Sequence, residues 1–558
     1  MDWNLLFSSY ANVFLDPTVL LMTLLGAVGG VLLGAIPGMT ATMGVALLIP
    51  FSFGMDLIPS VGLLLGIYCG GMYGGSISAI LIHAPGTPSA AATLLDGYPM
   101  AQKGEAGKAL SVAMFSSFCG GVIGALIMTF LSPLVAKVAM KFTSAEMLML
   151  AVFGLSVIIS ISGKSIAKGL ISAFFGMLLC TIGLDPTYSK QRFTFGVTSL
   201  KGGLSFIPVL IGLFAVAEVI AGVERIIAGR ESAQAKSNEK ITRVLPDGRT
   251  IRQIWPNILS GGIIGTFIGA IPGAGGDIAV FVSYAFNKGV SKNPEKWGTG
   301  IPNGVAATES ANNGCSGGAM IPLLSLGVPG DSVTAILLGA FIMKGIQPGP
   351  MMYVSELPTV YKVFAALMLA NLAMLIVGCA GVRVFAKIVS LEKRMLYPII
   401  LVVSLLGAFS INKNVFDVGV CVAFGVIGWL MNKYEFPLSP ILLALILGPM
   451  CEQNFVRFMD LNHGDFGQII HYPIAIGFFV VAVGVVIYSL INQQKINKRE
   501  KDALAKAGVD TFIEIGPGKT ISGFEKKTLS DVEILNVETL EDVKTVVARI
   551  KEKAEEEK

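Results

Sequence analysis

GAIPGAGGDIAVFVSYAF (residues 269–286) and GIPNGVAATESANNGCSGGAMIPLLSLGVPGDSVTAILLGAFIMKGIQPGP (300–350) decide how the chain is read. Both lie in apolar surroundings, yet both are broken by Pro-Gly pairs, at Pro272-Gly273 and Pro329-Gly330. In hydrocarbon each backbone amide must be bonded within its own segment, so irregular chain survives at membrane depth only beside protein or a water-filled cavity. Asp277, Asn303, Thr308, Glu309, Asn312, Asn313 and Asp331 crowd around these breaks. Polar and ionisable groups inside a membrane mark substrate or ion paths, and broken helices are where transporters place their binding sites.

Working outward, the same signature occurs once before. GAIPG at 34–38 returns at 269–273, 235 positions on, and the second Pro-Gly pair, Pro85-Gly86, returns at Pro329-Gly330, 244 positions on. The nine added residues fall in the stretch that holds the polar excursion 287–299. A weaker third match joins FIPVLIGLFAVAEV (206–219) to LSPILLALILGPMCE (438–452). Three matches in one order predict an internal duplication, and matched Gly/Pro interruptions in two halves point to a binding site. Close helix packing through small residues is the competing explanation for any one of them.

Composition sets the class. The 558 residues are 53% hydrophobic and 14% charged, with 66 Gly and a mean hydropathy of +0.72. Long apolar runs rather than short alternating segments predict an all-α polytopic membrane protein, not a barrel. A net charge of +4 spread among loops gives no reason to expect nucleic acid as a partner. The seven Cys stand singly, without CxxC spacing, as small core residues.

Roughly a dozen spans of about 20 residues are expected, some of them re-entrant. Residues 1–222 read as a first transmembrane repeat, 223–253 as a hydrophilic linker, 254–495 as a second repeat and 496–558 as a soluble tail. The connection 96–109, DGYPMAQKGEAGKA, reads as the first polar loop. The linker carries seven Lys/Arg against four acids, and Lys495, Lys498 and Arg499 follow the last span; both patterns favour the cytoplasmic side. His83, beside Pro85-Gly86, is either a structural hydrogen-bonding group or a proton carrier. In the tail, GxxxxGK[ST] fails at Ile513, which stands where Gly is needed.

The stretches 34–55, 73–110, 267–286 and 298–350 resemble the large permease subunit of the tripartite tricarboxylate transporter family, and the likeness extends from Met1 to about residue 494. The resemblance implies a bacterial inner-membrane secondary transporter. Its partners would be a periplasmic solute-binding protein and a small membrane subunit, its substrates small carboxylates such as citrate, its drive an Na+ or H+ gradient. The tail stretch AGVDTFIEIGPGKTISGFEKKTLSDVEILNVETLEDVKTVV resembles the end of malonyl-CoA:acyl carrier protein transacylase without that family's GxSxG elbow. It therefore reads as a fused fragment with no catalytic role.

An anion in a membrane is best held by helix N-termini, whose free amides and dipole supply positive potential. The breaks at Gly38, Thr40 and Thr42, and at Gly86, Thr87 and Ser89, would create such termini, as would Gly273 and Gly330. Asn303 and Asn312 join them as amide groups for the substrate, and their oxygens suit a cation as well. Asp277, Thr308, Glu309 and Asp331 are the candidates for the coupling ion, since hard cations prefer oxygen; Asp331 serves equally as a helix cap. No enzymatic activity, cofactor or tightly held metal is expected. A membrane-embedded enzyme and an ion channel are the alternatives: no paired-His, GxSxG or HExxH arrangement accompanies the spans, and duplicated breaks favour alternating access over a continuous pore.

Overall fold

The computed structural model describes residues 2–161, 165–185, 188–228, 244–388, 396–506, 511–515 and 533–537. Two units are distinguished, residues 1–486 and 487–558.

The first unit is helical. Before the linker come α1 (Trp3–Leu15), α2 (Pro17–Ala35), α3 (Ala41–Leu48), α4 (Leu57–Ile82), α5 (Leu94–Gln102), α6 (Ala106–Ala139), α7 (Ser144–Ile161), α8 (Ile166–Cys180), α9 (Phe206–Ile211) and α10 (Ala217–Ile227). After it come α11 (Gly248–Gly269), α12 (Gly275–Val290), α13 (Pro302–Leu326), α14 (Ser332–Met343), α15 (Met352–Ser355), α16 (Leu357–Ile388), α17 (Leu396–Asn412), α18 (Val415–Lys433), α19 (Ser439–Leu461) and the first part of α20 (Pro473–Lys506), whose residues from 487 on belong to the second unit. Among the described residues eight helices are long and apolar enough to cross a membrane, and five shorter apolar ones accompany them. This is an all-α polytopic membrane protein.

Burial is inverted relative to a water-soluble chain. Leu126, Phe130, Leu134, Phe174, Phe267 and Leu406 lie on the outside, whereas Thr308, Glu309, Ser310, Asn312 and Asn313 are fully buried. That is the arrangement hydrocarbon selects, with apolar side chains outward and polar ones inward.

Local chemistry fixes the helix ends. Asp16 caps α2, accepting from the Thr18 and Val19 amides, with Pro17 in the first turn. Asp247 caps α11 through the Thr250 amide. Both helices stop at the GAIPG break, where Gly38 and Gly273 take φ of +88° and +83°, a region open to glycine.

Between breaks, small residues set the packing. A Cβ on Gly26, Gly30 or Gly34 would stand 2.1, 2.4 or 2.3 Å from the carbonyl oxygens of Leu63, Ile67 and Gly71. On Gly261, Gly265 or Gly269 it would stand 2.7, 2.2 or 2.5 Å from those of Ala307, Ala311 and Cys315. The glycines of the two ladders are 235 positions apart and their partners 244. In each ladder the numbers rise together, so α2 runs parallel to α4 and α11 to α13. Between α4 and α13 they run oppositely: Cys69 faces Ser316, Met72 meets Asn312, and Ser76 faces Glu309. The two ladders are therefore packed antiparallel, crossing near Met72 and Asn312.

Three expectations change. The connection 96–109 is not a loop: it is α5 and the start of α6, with Asp96 buried. The excursion after GAIPG is partly helix, since α12 has 16 residues against 8 in α3. The linker is shorter than read, because α10 continues to Ile227 and α11 begins at Gly248; its centre, 229–243, lies outside the described residues. In the second unit β3 (Thr511–Ile515) pairs in parallel with β4 (Glu533–Val537), and Ile513 lies within β3. The rest of the tail, 507–510, 516–532 and 538–558, lies outside the described residues. A small antiparallel pair, β1 (Gly183–Leu184) with β2 (Gln191–Arg192), completes the strands among the described residues.

Candidate functional site

The four breaks meet. A cavity of about 570 Å³, a size suited to a small ligand, is lined by Gly38, Thr40 and Thr42 from the first, Thr87 and Ser89 from the second, Gly273 to Asp277 from the third, and Asp331 to Val333 from the fourth. The segments that begin at these breaks are α3, the 3₁₀ turn Pro88–Thr93, α12 and α14. Their starting residues line one space, and each start presents backbone amides without intrahelical partners.

The four starts differ in charge. Thr40 caps α3 by accepting from the Met43 amide at 3.1 Å, and Thr87 and Ser89 share a hydroxyl hydrogen bond at 3.1 Å; these two starts carry no acid. At α14, Asp331 accepts from the Thr334 amide at 2.8 Å and from the Tyr68 hydroxyl, completing a capping box. Its carboxylate is already committed as a cap, the competing role read from sequence. Asp277, in the first turn of α12, lies open to the cavity. Among the described residues it has no hydrogen-bond or ion-pair partner. At homologous positions the two sides therefore present Thr42 and Thr87 against Asp277 and Asp331.

The remaining predicted residues lie elsewhere. Gly86 and Gly330 do not line the cavity; they seal it from behind. A Cβ on Gly86 would stand 1.8 Å from the Gly34 carbonyl oxygen, and on Gly330 2.5 Å from the Ala319 Cα, while the Gly273 amide donates to the Gly330 carbonyl at 2.7 Å. Asn303 is not at the cavity: it bonds Gln253 and Asn257 where α13 starts. Asn312 turns its amide to the Met72 carbonyl at 3.2 Å, one layer behind Gly276.

Thr308 and Glu309 form a separate buried cluster. Thr93 donates to Glu309 at 2.5 Å and Ser117 at 2.9 Å, and Thr93 meets Thr308 at 3.0 Å. His83 follows α4 with φ +55° and stacks on Tyr98.

Sequence reasoning missed Glu218, Ser332, Asn432 and Ser439 on the cavity wall. Glu218 pairs with Arg225 at 2.5 Å; it sits in the third duplicated match, which held the signal. Asp96 was missed as well. It accepts from the amides of Gly298, Gly300 and Ile301 at 3.1, 2.8 and 3.0 Å, and from the Tyr284 hydroxyl at 2.9 Å, so it anchors the turn into α13. A larger cavity of about 1020 Å³ beside Gln347, Gln453 and Arg457 contains none of the breaks.

The model of the tripartite tricarboxylate transporter TctA family matches residues 20–443. The chain belongs to this family. Its members are membrane components of tripartite tricarboxylate transporters. A relative described as an uncharacterized 52.8 kDa protein in the TAR-I ttuC' 3' region of Agrobacterium vitis is 36% identical over 487 residues, covering 87% of this chain and 96% of the relative. The counterpart in the TAR-II region of the same organism is 35% identical over 227 residues, 41% of this chain and 94% of the relative. In the tail, 41 residues are 58% identical to malonyl CoA-acyl carrier protein transacylase of Staphylococcus aureus (strain COL), covering 7% of this chain and 13% of that protein. No solved structure matches the chain.

Proposed function

We propose that this TctA-family chain is the permease of a binding-protein-dependent secondary transporter, importing citrate-like carboxylates on a cation gradient. The single observation that carries the reading is the convergence of four segment starts on one cavity, two of them free of acid. Among the described residues no Arg or Lys lines that cavity, so the attraction for a carboxylate falls to backbone amides and dipoles at Thr40–Thr42 and Thr87–Ser89. Asp277, facing them without a partner, is the place for a cation or proton that accompanies the anion. The two ladders, alike and antiparallel, support inverted-topology repeats about a shared midplane site, the architecture of alternating access.

The family implies a small membrane subunit and a periplasmic solute-binding protein as partners, hence the bacterial inner membrane. The basic linker and the Lys and Arg that follow the last span favour a cytoplasmic side for both connector and tail. The tail is a fused fragment without an acyltransfer role.

The test is uptake of labelled carboxylates in cells expressing the chain with its small subunit, with and without the binding protein, under imposed Na+ or H+ gradients. Saturable uptake that needs both the binding protein and a gradient is the expected result. Unsaturable flux without the binding protein would make it a channel instead. Asp277→Asn should remove gradient dependence while leaving the protein in the membrane.

A further inference from the structure

The Glu309 cluster stands apart from the cavity and is built differently. Glu309 lies in the middle of α13, fully buried, and among the described residues no Lys, Arg or His pairs with it. A carboxylate removed from water needs a compensating positive charge or a proton. Hydroxyls surround it from several elements: Thr93 on one oxygen, Ser117 of α6 on the other. Ser76 of α4 faces the same carboxyl, and the hydroxyl of Tyr73, one turn earlier on α4, is fully buried near it without a hydrogen-bond partner among the described residues. Buried hydroxyls are normally satisfied, and an ion held among these oxygens would give the Tyr73 hydroxyl a partner.

We propose that Glu309, Thr93, Ser117, Ser76 and Tyr73 form a buried site for Na+, separate from the substrate cavity. The donor set is all oxygen, as a hard cation requires. It holds one formal negative charge, which balances a monovalent ion and leaves a divalent one uncompensated. The proposal rests on the transport reading and adds, besides the place at Asp277, a second cation site and how it acts. Thr93 ends the same 3₁₀ turn, Pro88–Thr93, whose start at Thr87 and Ser89 lines the cavity. An ion drawing Thr93 toward Glu309 fixes that turn, and with it the wall where the carboxylate binds.

Na+ binding is read on the full-length chain, purified in lipid nanodiscs without any carboxylate, as the rise in melting temperature in NaCl against choline chloride at equal ionic strength. A ligand that binds only the folded state raises stability with its concentration. Asp277→Asn, in which the cavity place is removed, should still respond to Na+; adding Glu309→Gln or Thr93→Val to it should abolish the response, and adding Ser117→Ala should shift half-saturation by about 10-fold. No Na+ response in Asp277→Asn, or a response retained when Glu309→Gln is added to it, would overturn the site. Should Glu309→Gln fail to elute as a single species, Thr93→Val and Ser117→Ala, which keep the carboxylate, decide the question alone. Citrate added in NaCl, with Thr42→Val as the cavity variant, reports the substrate site independently. A failure of the cation proposal thus leaves the carboxylate reading standing or falling on its own signal.

Discussion

Among single residues, the acids of this protein divide by what their carboxyl groups touch. Asp96 is saturated by three backbone amides and a tyrosine hydroxyl, so Asp96→Ala leaves four donors buried without a partner. The expected loss is about 3 kcal/mol of stability, read as a lowered melting temperature in detergent. Asp277 has no such partners, and Asp277→Asn should leave stability nearly unchanged while altering ion dependence. On the opposite wall, Thr42→Val keeps shape but removes a hydroxyl from the anion side; carboxylate affinity should fall about 10-fold in a binding titration. Glu309, Asp277 and Asp331 were legible as candidates because a carboxyl in an apolar run is conspicuous. Asp96 was not legible, because DGYPMAQKGEAGKA looks like a solvated connection. Only the fold brings residues 298–301 onto it.

In the helices, the close pairs α2 with α4 and α11 with α13 depend on the absence of a Cβ at matched positions. Gly30→Ala would place a methyl 2.4 Å from the Ile67 carbonyl oxygen, and Gly265→Ala one 2.2 Å from that of Ala311. Neither oxygen can rotate away, so the helices must separate, at a cost of about 1–3 kcal/mol each. Thermal melts of the two variants should show similar losses if the pairs carry equal weight in the fold. Outside the spans, Asp465 caps the turn Phe466–His471, and hydrogen bonds from Gln468 and then the Gly467 amide hold its carboxyl below the usual carboxylate range. A depressed pKa contributes stability above the unfolded value that is lost as pH falls through the folded one. Exchange at the Gly467 amide should therefore stay protected through the ordinary carboxylate range and accelerate only below it. The Pro-Gly breaks and glycine spacing were readable because few other residues permit that geometry. That α5 is a helix was not, since Pro99 and Gly97 argue against one locally and burial against its neighbours prevails.

For the whole molecule, the tail and the membrane unit are separable in sequence and in similarity. Deleting residues 507–558 should leave melting temperature and carboxylate uptake within error of the full chain, measured on the same membranes. Loss of uptake with normal insertion would give the tail a role that its resemblance to a transacylase fragment does not suggest. The sequence by itself determined the class, the family, the two sets of breaks and most of the polar residues, because each rests on local constraints: hydropathy, proline, glycine and the expense of a polar group in hydrocarbon. Tertiary structure alone decided which of those residues face one another. It placed Asp277 and the threonines on a common cavity, committed Asp331 to a cap, drew Glu309 into a hydroxyl cluster and moved Asn303 away. The reason is physical: helix ends are dictated by neighbours in the chain, but the antiparallel crossing near Met72 and Asn312 that joins residues more than two hundred positions apart is dictated by packing.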